Sequence, residues 1–262
     1  MESIFRDGKE NGGKKMINVS EYFYSIQGEG QYQGYPAVFF RTQNCNLFCG
    51  QPKDKEFKEK CSSCKWVCDT ISVWMKGKPM TYDEILKQWD DEMIVGHLSK
   101  GAHLVLTGGE PMLQQNQLKD LIYAFVEKFG FKPFIEVETN GTIVPTSDFA
   151  MLVDRFNVSA KLSNSGNPKP LRYNEEALKY FTNEKKAIFK FVTVDSDDTK
   201  EIFEDFIEPF EIPRDKIWLM PGAYNREELW KNGQSVAELC KQYGFKMTSR
   251  MHVEIWDKLT GV

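Results

Sequence analysis

The sequence predicts one α/β domain built on a mainly parallel sheet. Three observations carry this. Apolar runs alternate with segments of helical periodicity along most of the chain. Segments of unusual composition recur where the apolar runs end, which is where parallel α/β folds gather functional groups. No fixed-period repeat and no Pro/Gly/Ser-rich linker divides the chain, so residues 16–262 read as a single domain.

The elements follow in order. Ala37–Arg41 (AVFFR) reads as a buried strand. Tyr82–His97 carries apolar positions at helical spacing, and Thr81 is placed to accept its first free amides, so a helix is expected there. His103–Leu106 is a strand that ends at Thr107-Gly108-Gly109. Gln117–Phe129 is an amphipathic helix, and Phe134–Val137 a strand. A weaker strand, Leu152–Val158, leads into Ser159-Ala160-Lys161. Glu175–Phe181 is a short helix, Ala187–Val194 a strand and Asp198–Ile207 a helix. Ile217–Met220 is a strand that ends at Pro221-Gly222, and Arg226–Tyr243 is a helix. Met251–Trp256 alternates and reads as a last strand.

Composition narrows the class. Of 262 residues, 41% are apolar and 27% charged, which excludes wholesale disorder, collagen and coiled coil. The 19 Phe, 10 Tyr and 6 Trp supply the bulk for a sizeable core. A net charge of −4 argues against a broad nucleic-acid-binding face. No window approaches the roughly 18 consecutive apolar residues that a membrane-spanning helix needs. Residues 1–15 are polar and Gly-rich without an apolar signal region, and read as a disordered extension. The expected compartment is a reducing cytoplasm, with neither membrane nor nucleic acid as partner.

In that compartment structural disulfides are a weak reading of six cysteines. Cys45, Cys49, Cys61, Cys64 and Cys68 are clustered, which points to metal or redox chemistry; Cys240 stands alone in a helical stretch and reads as a small core residue. Two metal readings stand side by side on the cysteines alone. Cys61-x2-Cys64 has zinc-knuckle spacing, and Cys49 and Cys68 could complete four ligands. Alternatively, three thiolates hold a cubane iron–sulfur cluster and leave one iron open for a ligand. Thr107-Gly108-Gly109-Glu110-Pro111 favours the second. A Gly-Gly turn at a strand end lets backbone approach a ligand closely, and Glu110 can receive an ammonium group.

The cysteine cluster followed by Gly-Gly-Glu-Pro resembles the radical S-adenosylmethionine enzymes. More narrowly, the chain is similar to the 7-carboxy-7-deazaguanine synthase family. The residues that carry this are Phe23-Tyr24-Ser25-Ile26-Gln27-Gly28-Glu29-Gly30, Gly34, Pro36, Phe40-Arg41, Cys45-Asn46-Leu47 and Cys68-Asp69-Thr70. They continue with Thr107–Pro111, Glu138-Thr139-Asn140-Gly141, Ser159–Ser163, Ser249-Arg250, Ile255-Trp256 and Gly261-Val262. The likeness runs from about Ile17 to Val262, and the order and number of the motifs make it specific.

The resemblance implies a shortened (partial) β/α barrel, in a homodimer. It implies a carbon–nitrogen lyase that converts 6-carboxy-5,6,7,8-tetrahydropterin to 7-carboxy-7-deazaguanine with loss of ammonia, for deazapurine synthesis of the queuosine type. A 5′-deoxyadenosyl radical takes hydrogen from C6 of the pterin, and S-adenosylmethionine is regenerated. The implied cofactors are a [4Fe-4S] cluster, S-adenosylmethionine and Mg²⁺, and the implied partner is an electron donor such as a flavodoxin or ferredoxin. Carried over by position, Cys45, Cys49 and Cys68 hold the cluster, and Thr70 binds Mg²⁺. Gly109, Glu110, Ser159 and Lys161 hold S-adenosylmethionine. Ile26, Gln27, Gly28, Arg41, Thr107 and the Val262 carboxylate meet the substrate, with Arg41 paired to its carboxylate.

The chain departs from the family pattern in one place. The compact C-x3-C-x2-C is opened by a polar insertion in the cluster loop, Gln51–Lys65, and the residue three before Cys68 is Lys65. Either Cys45, Cys49 and Cys68 bind while the insertion loops out, or Cys64, or less favourably Cys61, replaces Cys49; the first keeps the Cys-Asn-Leu-Phe-Cys turn intact. Ala160 stands where the family often has proline. Two other functions fit parts of the pattern: an activating enzyme for a glycyl-radical protein, and a non-catalytic zinc-stabilised binding module.

Overall fold

The computed structural model describes residues 15–50, 64–259 and 261. The extension over residues 1–14, Cys61, most of the Gln51–Lys65 insertion and Val262 lie outside them.

Among the described residues, β1 (Met16–Ile26), β2 (Pro36–Thr42), β3 (Lys78–Thr81), β4 (His103–Gly108) and β5 (Ile135–Thr139) join four further strands in one sheet. The others are β6 (Arg155–Val158), β7 (Ala187–Thr193), β8 (Ile217–Pro221) and β9 (Lys246–Met247). The order is β3-β1-β2-β4-β5-β6-β7-β8-β9. From β2 to β9 every pair is parallel, and β1 runs antiparallel to both its neighbours. The register sets Arg41 beside Thr107 and Thr139 beside Val158, so the strand ends rise to one rim.

Helices cover the sheet as their periodicity dictates. Tyr82–Asp91 starts at a capping box in which Thr81 Oγ1 accepts the Glu84 amide and the Glu84 carboxylate accepts the Thr81 amide. It buries Tyr82, Ile85, Leu86 and Trp89, and Gln115–Phe129 buries Leu118, Leu121, Ile122 and Phe125 on the same spacing. Trp89 meets Phe125 at 6.1 Å and Phe40 of β2 at 5.5 Å, both edge to face, locking the two helices onto the sheet. Each such side chain contributes about 1.5–3 kcal/mol on leaving water.

Four expectations are corrected. Met251–Trp256 is a helix, and the last strand is Lys246–Met247. The alternation misleads because only Val253 is buried there, and the Met251 amide turns to the Gly28 carbonyl instead of a strand edge. Tyr82–His97 is two helices, Tyr82–Asp91 and Ile94–Ser99, broken where Met93 takes a left-handed φ of 64°. Leu152 closes a helix, Ser147–Leu152, so that strand begins only at Arg155. The helix expected over Asp198–Ile207 starts at Ser196 and widens into a π turn over Phe203–Ile207, just before Pro209. The strands β1 and β3 had no counterpart in the sequence reading; a register shift between Val19 and Glu21 breaks the alternation of β1.

Candidate active site

The rim where the parallel strands end surrounds a cavity of about 250 Å³. Cys45, Cys49, Cys68 and Thr70 line it, together with Gly109, Ser159 and Lys161. Ile26, Gln27, Gly28, Arg41 and Thr107 line the rest of the site expected from sequence. Leu259 and Gly261 also line it, so the chain returns to the cavity one residue before Val262.

The three cysteines are free thiols, as is the distant Cys240. Cys64 is disulfide-bonded and takes no part in the lining. Cys45 Sγ accepts the Leu47 amide at 3.4 Å, Cys49 Sγ accepts Asn167 Nδ2 at 3.3 Å, and Cys68 Sγ lies 3.5 Å from Thr70 Oγ1. Burial, with the Glu110 charge behind it, pushes the Cys45 thiol up to about 12; burial pushes Cys49 up to about 11 against the pull of Lys161. Cys45 and Cys49 therefore hold their protons at neutral pH, and a metal centre must displace those two protons on loading. Among the described residues, no three His, Cys, Asp or Glu side chains converge on a point where a single ion would sit. Three thiols spread around one cavity suit a cubane, in which each iron takes its own thiolate.

The Gly-Gly-Glu-Pro turn is built against the cysteine loop. The Gly109 amide donates to Thr42 O at 3.2 Å and the Glu110 amide to Asn44 O at 2.9 Å. A Cβ on Gly109 would collide with the Asn44 carbonyl and crowd Cys45 Cβ, so glycine sets this close approach. Glu110 is not among the lining residues. Its carboxylate is fully buried and accepts the Met112 amide, the Thr139 hydroxyl at 2.8 Å and the Asn140 amide at 2.6 Å. Burial outweighs these donors and raises it to about 7. Lys161 Nζ donates to Ser159 Oγ at 2.7 Å, and both residues line the cavity.

Arg41 Nε is buried 2.9 Å from Glu21 Oε1, but the pair is not aligned for a hydrogen bond. Its guanidinium thus faces the cavity without an aligned partner at Nε. Thr70 occupies the N-cap position of Ile71–Trp74, yet its hydroxyl makes no capping bond and remains directed to the thiol side.

A charged network, which the sequence alone does not reveal, also lines the cavity. Lys190, 1% exposed, bridges Glu29 at 2.7 Å and Glu138 at 2.8 Å. Arg250 joins Glu29, at 3.2 Å, to Asp69 beside Cys68. Burial works against these charges, but Lys190, Arg250 and His252 together hold Glu29 down at about 2, and the paired carboxylates keep Lys190 above the ordinary lysine range. Burial also raises Glu138, with Lys190 opposing it. His252 lines the cavity 4.0 Å from Glu29 and 3.9 Å from Asp69. The available signal was Lys190 itself: a lone charge in the apolar run AIFKFVT must have a buried partner.

No family model matches the chain. It is 32% identical over 247 residues to a 7-carboxy-7-deazaguanine synthase from Pyrobaculum aerophilum, covering 94% of this chain and 97% of that one. It is 28% identical over 278 residues to the enzyme of the same name from Halobacterium salinarum, covering 98% and 96%. The crystal structure of QueE from Escherichia coli superposes with a TM-score of 0.57 at 24% identity, over 94% of this chain and 100% of that one, and so shares the fold.

Proposed function

The chain belongs to the 7-carboxy-7-deazaguanine synthase family, and from that premise we propose that its cavity converts 6-carboxy-5,6,7,8-tetrahydropterin to 7-carboxy-7-deazaguanine with loss of ammonia. The observation that carries the reading is the meeting of three free thiols with Gln27, Arg41 and Thr107 in one cavity. The sheet is read as a shortened β/α barrel, with β1 and β3 added at one edge.

The donor set fits the groups that this chemistry needs. Cys45, Cys49 and Cys68 would hold a [4Fe-4S] cluster. Gly109, Ser159 and Lys161 would hold S-adenosylmethionine, with Glu110 shaping the turn. Thr70 would offer a hard oxygen to Mg²⁺, a cation that prefers oxygen ligands. When bound, these groups supply an electron and a carbon radical that takes a hydrogen atom from the substrate. The electron comes from outside the cavity, from a donor of the flavodoxin or ferredoxin type.

The remaining work falls to the chain's own residues. Arg41 binds the substrate carboxylate, for which a planar guanidinium supplies two parallel donors. Gln27 and the backbone at Ile26 and Gly28 orient the pterin; the contact expected from the Val262 carboxylate falls outside the described residues. Lys190 and Glu138 face the cavity and can hold a proton for the departing amine at Lys190 Nζ or a Glu138 oxygen. Trp66 and Leu259 help keep water out.

Turnover tests this reading. Cluster-loaded protein, S-adenosylmethionine, a reductant and the carboxypterin should yield carboxydeazaguanine and ammonia. Fully loaded protein that leaves the carboxypterin unchanged would overturn it.

A further inference from the structure

We propose that Asn167 is a positioning residue for the iron–sulfur site, whose side-chain amide donates to the Cys49 sulfur and raises the reduction potential of the cluster held there. The proposal rests on the reading that Cys45, Cys49 and Cys68 hold that cluster.

Asn167 lies on the loop that follows Ser163–Ser165 and is 6% exposed. Its orientation is fixed from both sides. Oδ1 accepts the Phe48 amide at 3.0 Å, so the carbonyl end must face that donor. Nδ2 then points to Cys49 Sγ at 3.3 Å and to Ser165 Oγ at 3.2 Å. Ser165 Oγ spends its own proton on Leu162 O at 2.8 Å, so it can only accept from Asn167. The backbone is braced as well, because the buried Arg172 donates to Asn167 O at 3.1 Å and pairs with Glu201 at 2.8 Å. A rigid N–H dipole is therefore aimed at one of the three sulfurs.

The other two sulfurs are served differently. Cys45 Sγ takes a backbone amide, and Cys68 Sγ lies by a hydroxyl. Asn167 is thus a side-chain amide, one that mutation can remove. Reduction adds negative charge that the cluster shares with its thiolates. A donor fixed on a thiolate stabilises the reduced form more than the oxidised form, and a dry site strengthens the effect.

The test is a redox titration of reconstituted protein followed by electron paramagnetic resonance, for the unaltered chain, Asn167→Ala and Asn167→Asp. Asn167→Asp keeps the acceptor for the Phe48 amide and turns an oxygen toward the sulfur. Both variants should be harder to reduce. The reduced fraction at a fixed potential should fall several-fold in Asn167→Ala and further in Asn167→Asp, a tenfold change being about 59 mV for a one-electron couple. Unchanged potentials in both variants, with the cluster retained, would overturn the proposal. If a variant loses the cluster, the melting temperature of the metal-free protein decides. An unchanged value supports a role at the sulfur, and a value lowered in step shows that Asn167 only braces the loop. An unaltered chain that takes up no cluster would sink the underlying site reading instead, which separates the two failures.

Discussion

The Cys68 amide donates to the Cys49 carbonyl at 3.1 Å, making close neighbours of two cysteines that a polar segment separates in sequence. Gly50 and the Trp66–Val67 backbone pass so closely that a Cβ on Gly50, whose φ is +79°, would collide with both. Gly50 N and Lys65 N also donate to the same loop, at Ser165 O and Asn164 O. The cysteine pair is thus held by bonds formed on either side of that segment.

From this pairing, Cys45→Ala, Cys49→Ala and Cys68→Ala should each reduce iron uptake and turnover to background. Cys61→Ala and Cys64→Ala should leave turnover measurable. Activity that survives Cys49→Ala but not Cys64→Ala would contradict the assignment.

Arg41→Lys keeps the charge but gives up the planar pair of donors. The KM for the carboxypterin should rise about 10- to 100-fold, the equivalent of about 1.5–3 kcal/mol for a hydrogen bond to a charged group. Steady-state kinetics reads this directly, and an unchanged KM would place the substrate carboxylate elsewhere.

Lys190→Met leaves Glu29 and Glu138 facing each other without their shared cation. The metal-free protein should lose about 3–5 kcal/mol in urea denaturation. Adding Glu29→Gln and Glu138→Gln should recover most of it. A single-variant loss below about 1 kcal/mol would show that the network is not a structural keystone.

Glu110 gives a pH signature. Its carboxyl titrates near 7 in the folded chain, against 4.5 ordinarily, so the folded state keeps a proton that the unfolded state gives up. Stability from this group is complete below pH 4.5 and drains away as pH rises through 7, by on the order of 3 kcal/mol at most. Melting of the metal-free protein from pH 4.5 to 7.5 should show this slope, and Glu110→Gln should flatten it. An equal slope in both proteins would refute the assignment.

What sequence could reveal was local. Thr81 and Glu84 sit three apart before an apolar stripe, and the capping box forms as that spacing dictates. Cys45, Arg41 and Thr107 each fall at a strand end and meet at one rim. What it hid was either irregular or distant. The shift at Val19/Glu21 disguised β1, and Met251–Trp256 alternates without a sheet edge to join. Glu29, Lys190 and Arg250 come from far-apart segments, and only the fold brings their charges together. Asn167 is an ordinary loop asparagine until the fold sets it against Cys49.

The most direct measurement is iron, zinc and acid-labile sulfide in protein purified without oxygen. The account predicts about four irons and four sulfides per chain, the content of one cubane cluster. Stoichiometric zinc without sulfide, persisting through an attempt at cluster reconstitution, would contradict it.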